Sequence, residues 1–293
     1  MSENVVPSPP TLRVIQIVEL LASAELPGTV ADIADRLELS RSTVAAILVT
    51  LEERGWVVRL PDLTYRIGSA GVEFGVRASA QLPLGGSVIG EIDGLAQRVG
   101  CDAALIMGSA THLAFIYVTT GYGRIPTPLG TGARIPLRAP MGATMVAYAS
   151  PSIQQQWLDT APPEWRQDFA DVFEQIHRTG VTAWGLDTRN LDTIMLLGDI
   201  ANHLIDDAAT ALRERVIELL TGLSLRPYLA QTLATDRALP ISCISAPVFN
   251  TEGDACWELQ LGPMHPAMPR AERDRCMDEL ACTANSLSKN IHP

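Results

Sequence analysis

Cysteine is scarce and unpaired in this 293-residue sequence, and no apolar run is long enough to span a membrane. The five cysteines are an odd number and form no CxxC pair, so the sequence predicts neither a disulfide framework nor a zinc site. The five histidines are scattered without metal-ligand spacing, and we expect no metal and no other cofactor. The first ten residues have neither the basic nor the apolar region of a secretion signal. These absences predict a cytoplasmic protein with no membrane partner.

Aromatic residues and lysine are also rare. Aromatics supply 5% of the chain against 47% for all hydrophobic residues, so leucine, isoleucine, valine and alanine must fill most of the core. Lys289 is the only lysine. Nearly all basic side chains are therefore arginines, which suit bidentate contacts to guanine or phosphate.

The formal net charge of −11 argues against a nucleic-acid partner when it is taken over the whole chain. Residues 36–66 differ, because they contain five arginines and four acidic residues. Salt screens charges that lie more than about 8–10 Å apart, so the local balance counts for more than the distant one. The charge pattern therefore allows DNA binding by residues 36–66 and predicts weak non-specific binding.

Residues 31–51 carry two helical patterns separated by a short break at residues 38–40. Ser40 can cap the second helix by accepting a hydrogen bond from a backbone N–H of its first turn. Apolar residues at helical spacing predict one buried face, formed by Val44, Ile47, Leu48 and Leu51. The opposite face is small or hydrogen-bonding and can enter a major groove; it carries Arg41, Ser42, Thr43, Ala45, Ala46 and Thr50. An ordinary helical hairpin is the alternative for this stretch alone.

The residues after the second helix favour DNA binding over the hairpin alternative. Residues 56–60 and 63–67 are β-branched and aromatic stretches around Pro61-Asp62, which predicts two strands joined by a turn. A helix-turn-helix followed at once by such a hairpin is the winged form. The predicted wing offers Arg59 and Arg66 to phosphates or to a minor groove.

The chain divides into four predicted segments. Residues 1–10 are Pro- and Ser-rich and are expected to be a disordered arm. Residues 11–68 form the winged helix-turn-helix domain, and residues 69–82 form a linker helix. Residues 83–293 are a mixed α/β domain with an inserted helical segment near 188–238.

The sequence resembles the isocitrate-lyase-regulator (IclR) family of bacterial transcription factors along most of its length. The resemblance lies in three motifs of the first half and three of the second: Ser42-Thr43-Val44, Gly55-Trp56-Val57 and Tyr65-Arg66-Ile67-Gly68, then residues 135–139, residues 242–249 and Leu261-Gly262-Pro263. It implies an α/β (α+β) fold with an N-terminal winged helix-turn-helix, a linker helix and a C-terminal GAF-like effector-binding domain. It also implies a ligand-responsive regulator that binds double-stranded operator DNA as a homodimer or as a dimer of dimers (a homotetramer).

The resemblance also implies where an effector binds. The predicted pocket combines a loop with two strands and consists of Met141, Gly142, Ala143, Cys243, Leu259 and Leu261. Members that bind small carboxylates have serines where this chain has Leu259 and Leu261. Two leucines remove hydroxyl donors and add apolar surface, so we expect an effector with an apolar body and one polar or acidic end.

Two other functions compete with the regulator hypothesis. An enzyme could use Cys243 or carboxylates of the α/β domain, although the sequence offers no base beside that cysteine, and we predict no catalytic residue. A sensor could use its winged domain to bind protein instead of DNA. The regulator hypothesis assigns DNA contacts to seven residues: Ser40, Arg41, Ser42, Thr43, Ala46, Arg59 and Arg66.

Overall fold

A computed structural model describes residues 8–23, 28–81, 86–122, 130–186 and 226–290, together with residues 193, 196, 197, 216 and 219. The described residues separate into two compact units, with the division between Gln81 and Leu82. Most of the predicted arm and of the predicted helical insertion lies outside the described residues. No helix among the described residues is long and apolar enough to cross a membrane.

The N-terminal unit contains four helices and a small antiparallel sheet with the strand order β1-β3-β2. Apolar residues at helical spacing predict a first helix from Thr11, and the helix begins two residues earlier, at Pro9. The core contains Ile17 of that helix and Val44 and Leu48 of the third helix, all with no exposed surface. The elements are α1 (Pro9–Ser23), β1 (Gly28–Thr29), α2 (Val30–Arg36), α3 (Arg41–Glu53), β2 (Val57–Arg59), β3 (Thr64–Ile67) and α4 (Ser69–Gln81).

A close backbone approach fixes the start of α4, the predicted linker helix. The Gly68 N–H donates to the Trp56 carbonyl at 2.8 Å, and the Ala70 N–H donates to the Gly55 carbonyl at 3.0 Å. A Cβ on Gly68 would collide with the Gly55 carbonyl oxygen, so only glycine fits at this position. One turn later, the Phe74 ring lies against Trp56 with centroids 5.3 Å apart. These contacts join the first turns of α4 to the wing.

The C-terminal unit is organised around an eight-stranded antiparallel sheet with the order β6-β5-β4-β10-β9-β7-β8, in which β11 also pairs with β9. The fold prediction of a helix-turn-helix followed by a mixed helix and sheet domain is confirmed. The strands are β4 (Ala103–Gly108), β5 (His112–Val118), β6 (Arg134–Pro136), β7 (Thr182–Gly185), β8 (Pro227–Tyr228), β9 (Leu239–Phe249), β10 (Ala255–Leu261) and β11 (His265–Met268). The helices are α5 (Gly86–Val99), α6 (Ala143–Val146), α7 (Pro151–Asp159), α8 (Arg166–Thr179), α9 (Ala230–Leu233) and α10 (Arg270–Asn290), with a 3₁₀ turn at Pro163–Trp165.

Helices cover both faces of this sheet, and each face has its own apolar cluster. On the face that we call the outer face, Ile92 of α5 and Leu280 of α10 pack on the strands without exposed surface. On the opposite, inner face, α6, α7 and α8 pack against the strand residue Trp184. A strand residue can therefore contribute to a site on the inner face only if its side chain points towards α6, α7 and α8.

The sequence pattern after residue 142 predicts a helix through Tyr148, but this helix is the single turn α6, which ends at Val146. Such a short helix has almost no macrodipole, so it cannot supply the anion-attracting terminus that a longer helix would. Strand β6 and helix α7 were not predicted.

Candidate functional site

Helix α3 begins with the cap that its sequence predicts. The Thr43 backbone N–H donates to the Ser40 hydroxyl at 3.2 Å, and Ser40 is extended, with φ −69° and ψ 141°. The Ser40 hydroxyl also lies 3.0 Å from that of Ser42 and 2.8 Å from that of Thr43. Three hydroxyl groups therefore meet at the first turn of the predicted recognition helix.

The exposed side of α3 is free of bulky side chains near its start. Arg41, Ser42 and Ala46 are exposed and Thr43 is half-buried, whereas Val44 and Leu48 on the opposite side are fully buried. Among Arg41, Ser42, Thr43 and Ala46, only Arg41 is larger than threonine. The predicted groove-facing residues are thus brought to one surface.

A groove of about 440 Å³ runs along this surface and adds a residue that the sequence did not single out. Its walls are Ser42, Thr43, Ala46 and Ile47 of α3 together with Pro10, Arg13 and Val14 of α1. Arg13 thus lies beside the hydroxyl-rich start of α3. The sequence signal was available, because Arg13 is the one basic residue of α1.

The wing arginines are not brought together. Arg66 lies opposite Val58 in the hairpin and Arg59 lies opposite Tyr65, so the two side chains leave from opposite faces. The Arg59 guanidinium lies 6.0 Å from the centre of the Tyr65 ring. Arg66 is exposed on the side of the hairpin opposite to Arg59. The two arginines therefore reach different places and cannot clamp one phosphate.

In the C-terminal unit, the predicted pocket loop lies on the inner face of the sheet. The Trp157 indole N–H donates to the Met141 carbonyl at 2.8 Å and holds the loop against α7. Gly142 has φ +77°, and a Cβ there would meet the Leu137 side chain at 2.5 Å, so this position needs glycine. Ala143 and the strand residue Cys243 belong to the same inner apolar cluster.

The two predicted pocket leucines lie on the other face, so the pocket as predicted does not come together. Leu259 pairs with Ala246 and Leu261 with Ile244, and all four are fully buried among the outer-face residues under α5 and α10. Cys243 directly precedes Ile244 in β9, and successive strand side chains point to opposite faces, so the Cys243 side chain points to the inner face. In this structure, Leu259 and Leu261 form part of the core between the sheet and α5 and α10.

The residues that alternate with those leucines form a polar group on the inner face. Thr144 of α6 donates a hydrogen bond to the Glu258 carboxylate, and both side chains are buried. Ser245 pairs with Gln260 across β9 and β10 and contributes a further hydrogen bond to Glu258. We call this set the inner polar cluster: Thr144, Cys243, Ser245, Glu258 and Gln260.

Burial dominates the electrostatics of the inner polar cluster. It raises the pKa of Glu258 to about 7, against the lowering effect of hydrogen bonds from Thr144 and Ser245. Burial, with a smaller contribution from the Glu258 carboxylate, raises the pKa of the Cys243 thiol to about 12. The thiol is therefore neutral at physiological pH and a poor nucleophile. Among the described residues, no group of three His, Cys, Asp or Glu side chains is placed to hold a metal ion.

Sequence reasoning missed Glu258 as a site residue, although a signal was present. Residues 256–261 read Cys-Trp-Glu-Leu-Gln-Leu, in which Glu258 and Gln260 alternate with apolar residues inside a strand. A strand in the middle of a sheet with helices on both faces normally has apolar residues on both sides. A carboxyl and an amide at alternate positions therefore indicate that one side of this strand faces a polar site instead of an apolar core.

Residues 11–61 match the IclR helix-turn-helix domain. This match extends from α1 to β2 of the N-terminal unit. The resemblance to the IclR family that the sequence motifs indicated is thereby confirmed. No curated protein matches the chain.

Solved structures of IclR proteins share the fold of the whole chain. The IclR transcriptional regulator of Alicyclobacillus acidocaldarius has a TM-score of 0.66 at 17% identity, covering 97% of this chain and 99% of its own. An IclR homologue of Microbacterium hydrocarbonoxydans, in complex with 4-hydroxybenzoate, has a TM-score of 0.63 at 17% identity over 96% and 98% of the two chains. IclR of Thermotoga maritima has a TM-score of 0.53 at 16% identity over 95% and 97%. At these identities the likeness establishes the fold alone.

Proposed function

We propose that this protein is a ligand-responsive transcriptional regulator that binds a specific DNA sequence. The observation that carries the proposal is the start of α3 in the IclR helix-turn-helix domain, where Ser42, Thr43 and Ala46 line an open groove with Arg13 beside them. Hydroxyl and guanidinium groups on a sterically open helix start fit base edges and phosphates in a major groove. Helix α4 connects this domain to the C-terminal unit, where an effector would act.

The primary test measures binding of the full-length protein to the DNA upstream of its own gene at several salt concentrations. Retardation that falls with salt and selects a partial palindrome supports the proposal, because phosphate contacts give a salt slope and paired recognition helices read two half-sites. Binding without sequence preference, or no binding at any salt, contradicts it.

The neutral Cys243 thiol gives no support to the enzyme hypothesis.

Replacing Arg41 by alanine is expected to weaken operator binding by about 1–3 kcal/mol and to relax base selectivity, because Arg41 is exposed in the first turn of α3. Arg66→Ala should instead weaken all DNA sequences alike and lower the salt slope by about one. Fluorescence anisotropy with operator and scrambled duplexes measures both effects. Arg54→Ala is the control, since Arg54 lies at the other end of α3, about 20 Å from Arg41. Unchanged selectivity in Arg41→Ala would remove this residue from the base-reading set.

We further propose that the protein acts as a dimer whose DNA-binding domains pair through α4. Its residues Val72 and Val76 lie one turn apart with 59% and 66% of their surface exposed. One domain alone offers too little surface for the affinity that an operator requires. The double variant Val72→Glu/Val76→Glu should be a monomer in light scattering and lose operator affinity. Ile153→Glu, which also replaces an exposed apolar residue, should leave the dimer intact. A stable wild-type monomer that still binds its operator tightly would refute this pairing.

The effector is proposed to lie on the inner face of the C-terminal sheet, with an apolar body and one polar end. The apolar body would meet the inner apolar cluster near Ala143 and Trp184. Bound 4-hydroxybenzoate in the Microbacterium homologue is a molecule of that general kind. The polar end would meet the inner polar cluster.

A further inference from the structure

The inner polar cluster contains a buried acid with no charged partner among the described residues. Glu258 lies in the middle of the sheet, and its described hydrogen-bond partners, Thr144 and Ser245, are neutral hydroxyl groups. An ionised carboxylate in such a place costs free energy unless a cation or several donors compensate it. The residues that the structure describes leave this compensation incomplete.

A buried hydroxyl group without a described partner lies on the same face of the sheet. Thr182 of β7 pairs with Ser245, which in turn pairs with Gln260, so these three side chains share the inner face. Thr182 has no exposed surface, and its hydroxyl lacks a hydrogen-bond partner among the described residues. Buried hydroxyl groups are rarely left without a partner, and such exceptions mark places that a ligand or water completes.

Two members of the inner polar cluster are not fully covered by the described residues. Cys243 and Gln260 keep part of their surface uncovered although their strand neighbours Ser245 and Glu258 are buried. Trp184 pairs with Cys243 across β7 and β9, which brings an indole beside the thiol on the inner face. An indole offers an apolar surface against which the body of a ligand can pack.

We infer that the effector carries a protonated amine, which forms an ion pair with the Glu258 carboxylate while its apolar body packs beside Trp184. This inference rests on the proposed function, and it chooses among the polar end groups that the sequence left open. An acidic end group would bring a second negative charge to a buried carboxyl and could bind only when a proton is shared between them. An amine supplies both the missing charge and several hydrogen-bond donors.

The test compares two probes that differ only in their end group. Calorimetry on the full-length protein near pH 8 measures the binding of 4-hydroxybenzylamine and of 4-hydroxybenzoate. We expect the amine to bind about tenfold more tightly or better, since a charge-assisted hydrogen bond to a desolvated carboxylate is worth at least that factor. Glu258→Gln should abolish the preference for the amine. Glu252→Gln, the same substitution on an exposed turn, should keep it.

The pH dependence gives a second, independent readout. Amine binding requires ionised Glu258, so its affinity should fall by up to about tenfold for each pH unit below 7. The other titratable group described within the cluster is the Cys243 thiol, which stays neutral over this range, whereas Thr144, Ser245 and Gln260 do not titrate. Acid binding should change in the opposite direction and strengthen as the pH falls.

Three results would overturn the inference: tighter binding of the acid than of the amine near pH 8, an unchanged preference in Glu258→Gln, or no amine binding at millimolar concentration. Measuring operator binding with the same preparations distinguishes a failure of the amine inference from a failure of the proposed function. A wild type that binds the operator but not the amine refutes the effector class alone. A wild type that binds the amine through Glu258 but no DNA sequence selectively refutes the regulator alone.

Discussion

Leu259→Ala is expected to lower the free energy of unfolding of the C-terminal unit by about 2–5 kcal/mol. Leu259 is fully buried in the outer-face core, between Ala246 on the neighbouring strand and the helices α5 and α10, so truncation leaves a cavity that this layer cannot easily close. Urea unfolding followed by tryptophan fluorescence measures the change, because Trp157, Trp165, Trp184 and Trp257 all lie in this unit.

The control for this substitution is Ile153→Ala, which removes the same number of carbon atoms from an apolar side chain that is 45% exposed on α7. It should change stability by much less than Leu259→Ala, because little of its surface leaves water on folding. Should Leu259→Ala leave stability unchanged and abolish effector binding, the residue would return to the pocket that the sequence predicted.

Glu258→Gln is expected to stabilise the C-terminal unit near pH 8, by up to about 3 kcal/mol, and to have little effect near pH 4. Burial raises the pKa of Glu258 from 4.5 to about 7 in the folded protein. Between these two values the folded state holds a proton that the unfolded state releases. The wild type therefore loses stability as the pH rises from about 4.5 through 7, whereas a glutamine cannot take part in this exchange.

Urea unfolding of wild type and Glu258→Gln at a series of pH values checks this prediction. The difference between the two proteins should grow with pH and level off above about 8. Glu252→Gln replaces an exposed carboxyl and should follow the wild-type curve. Parallel curves for wild type and Glu258→Gln would mean that folding leaves the pKa of Glu258 unchanged.

Local sequence patterns were sufficient for the DNA-binding domain. Ser40, the apolar spacing of Val44 and Leu48, and the turn at Pro61-Asp62 act through neighbours within a few residues. Capping, helical periodicity and turn chemistry are short-range effects, so the sequence alone predicts them well. The proximity of Arg13 to Ser42 is a long-range contact, and the sequence did not reveal it.

The effector site was predicted less well, for a related reason. Alternation along β10 separates Leu259 and Leu261 from Glu258 and Gln260, and the sequence showed that these pairs face opposite ways. It did not show which pair faces α6. The register of β9 against β10 decides this, because it sets Ser245 opposite Gln260 on the inner face and Ile244 opposite Leu261 on the outer face.

By itself, the sequence determined that this chain begins with a winged helix-turn-helix, that α4 follows it, and that a mixed sheet domain resembling those of IclR regulators completes it. These features depend on the spacing of apolar residues and on short sequence motifs, and both can be read directly from the sequence. Only the tertiary structure decided that the two leucines belong to the core and that Glu258 faces the site. Strand pairing and helix packing join residues more than a hundred positions apart, as Thr144 and Glu258 are joined, and such a pairing leaves no signal within either local stretch.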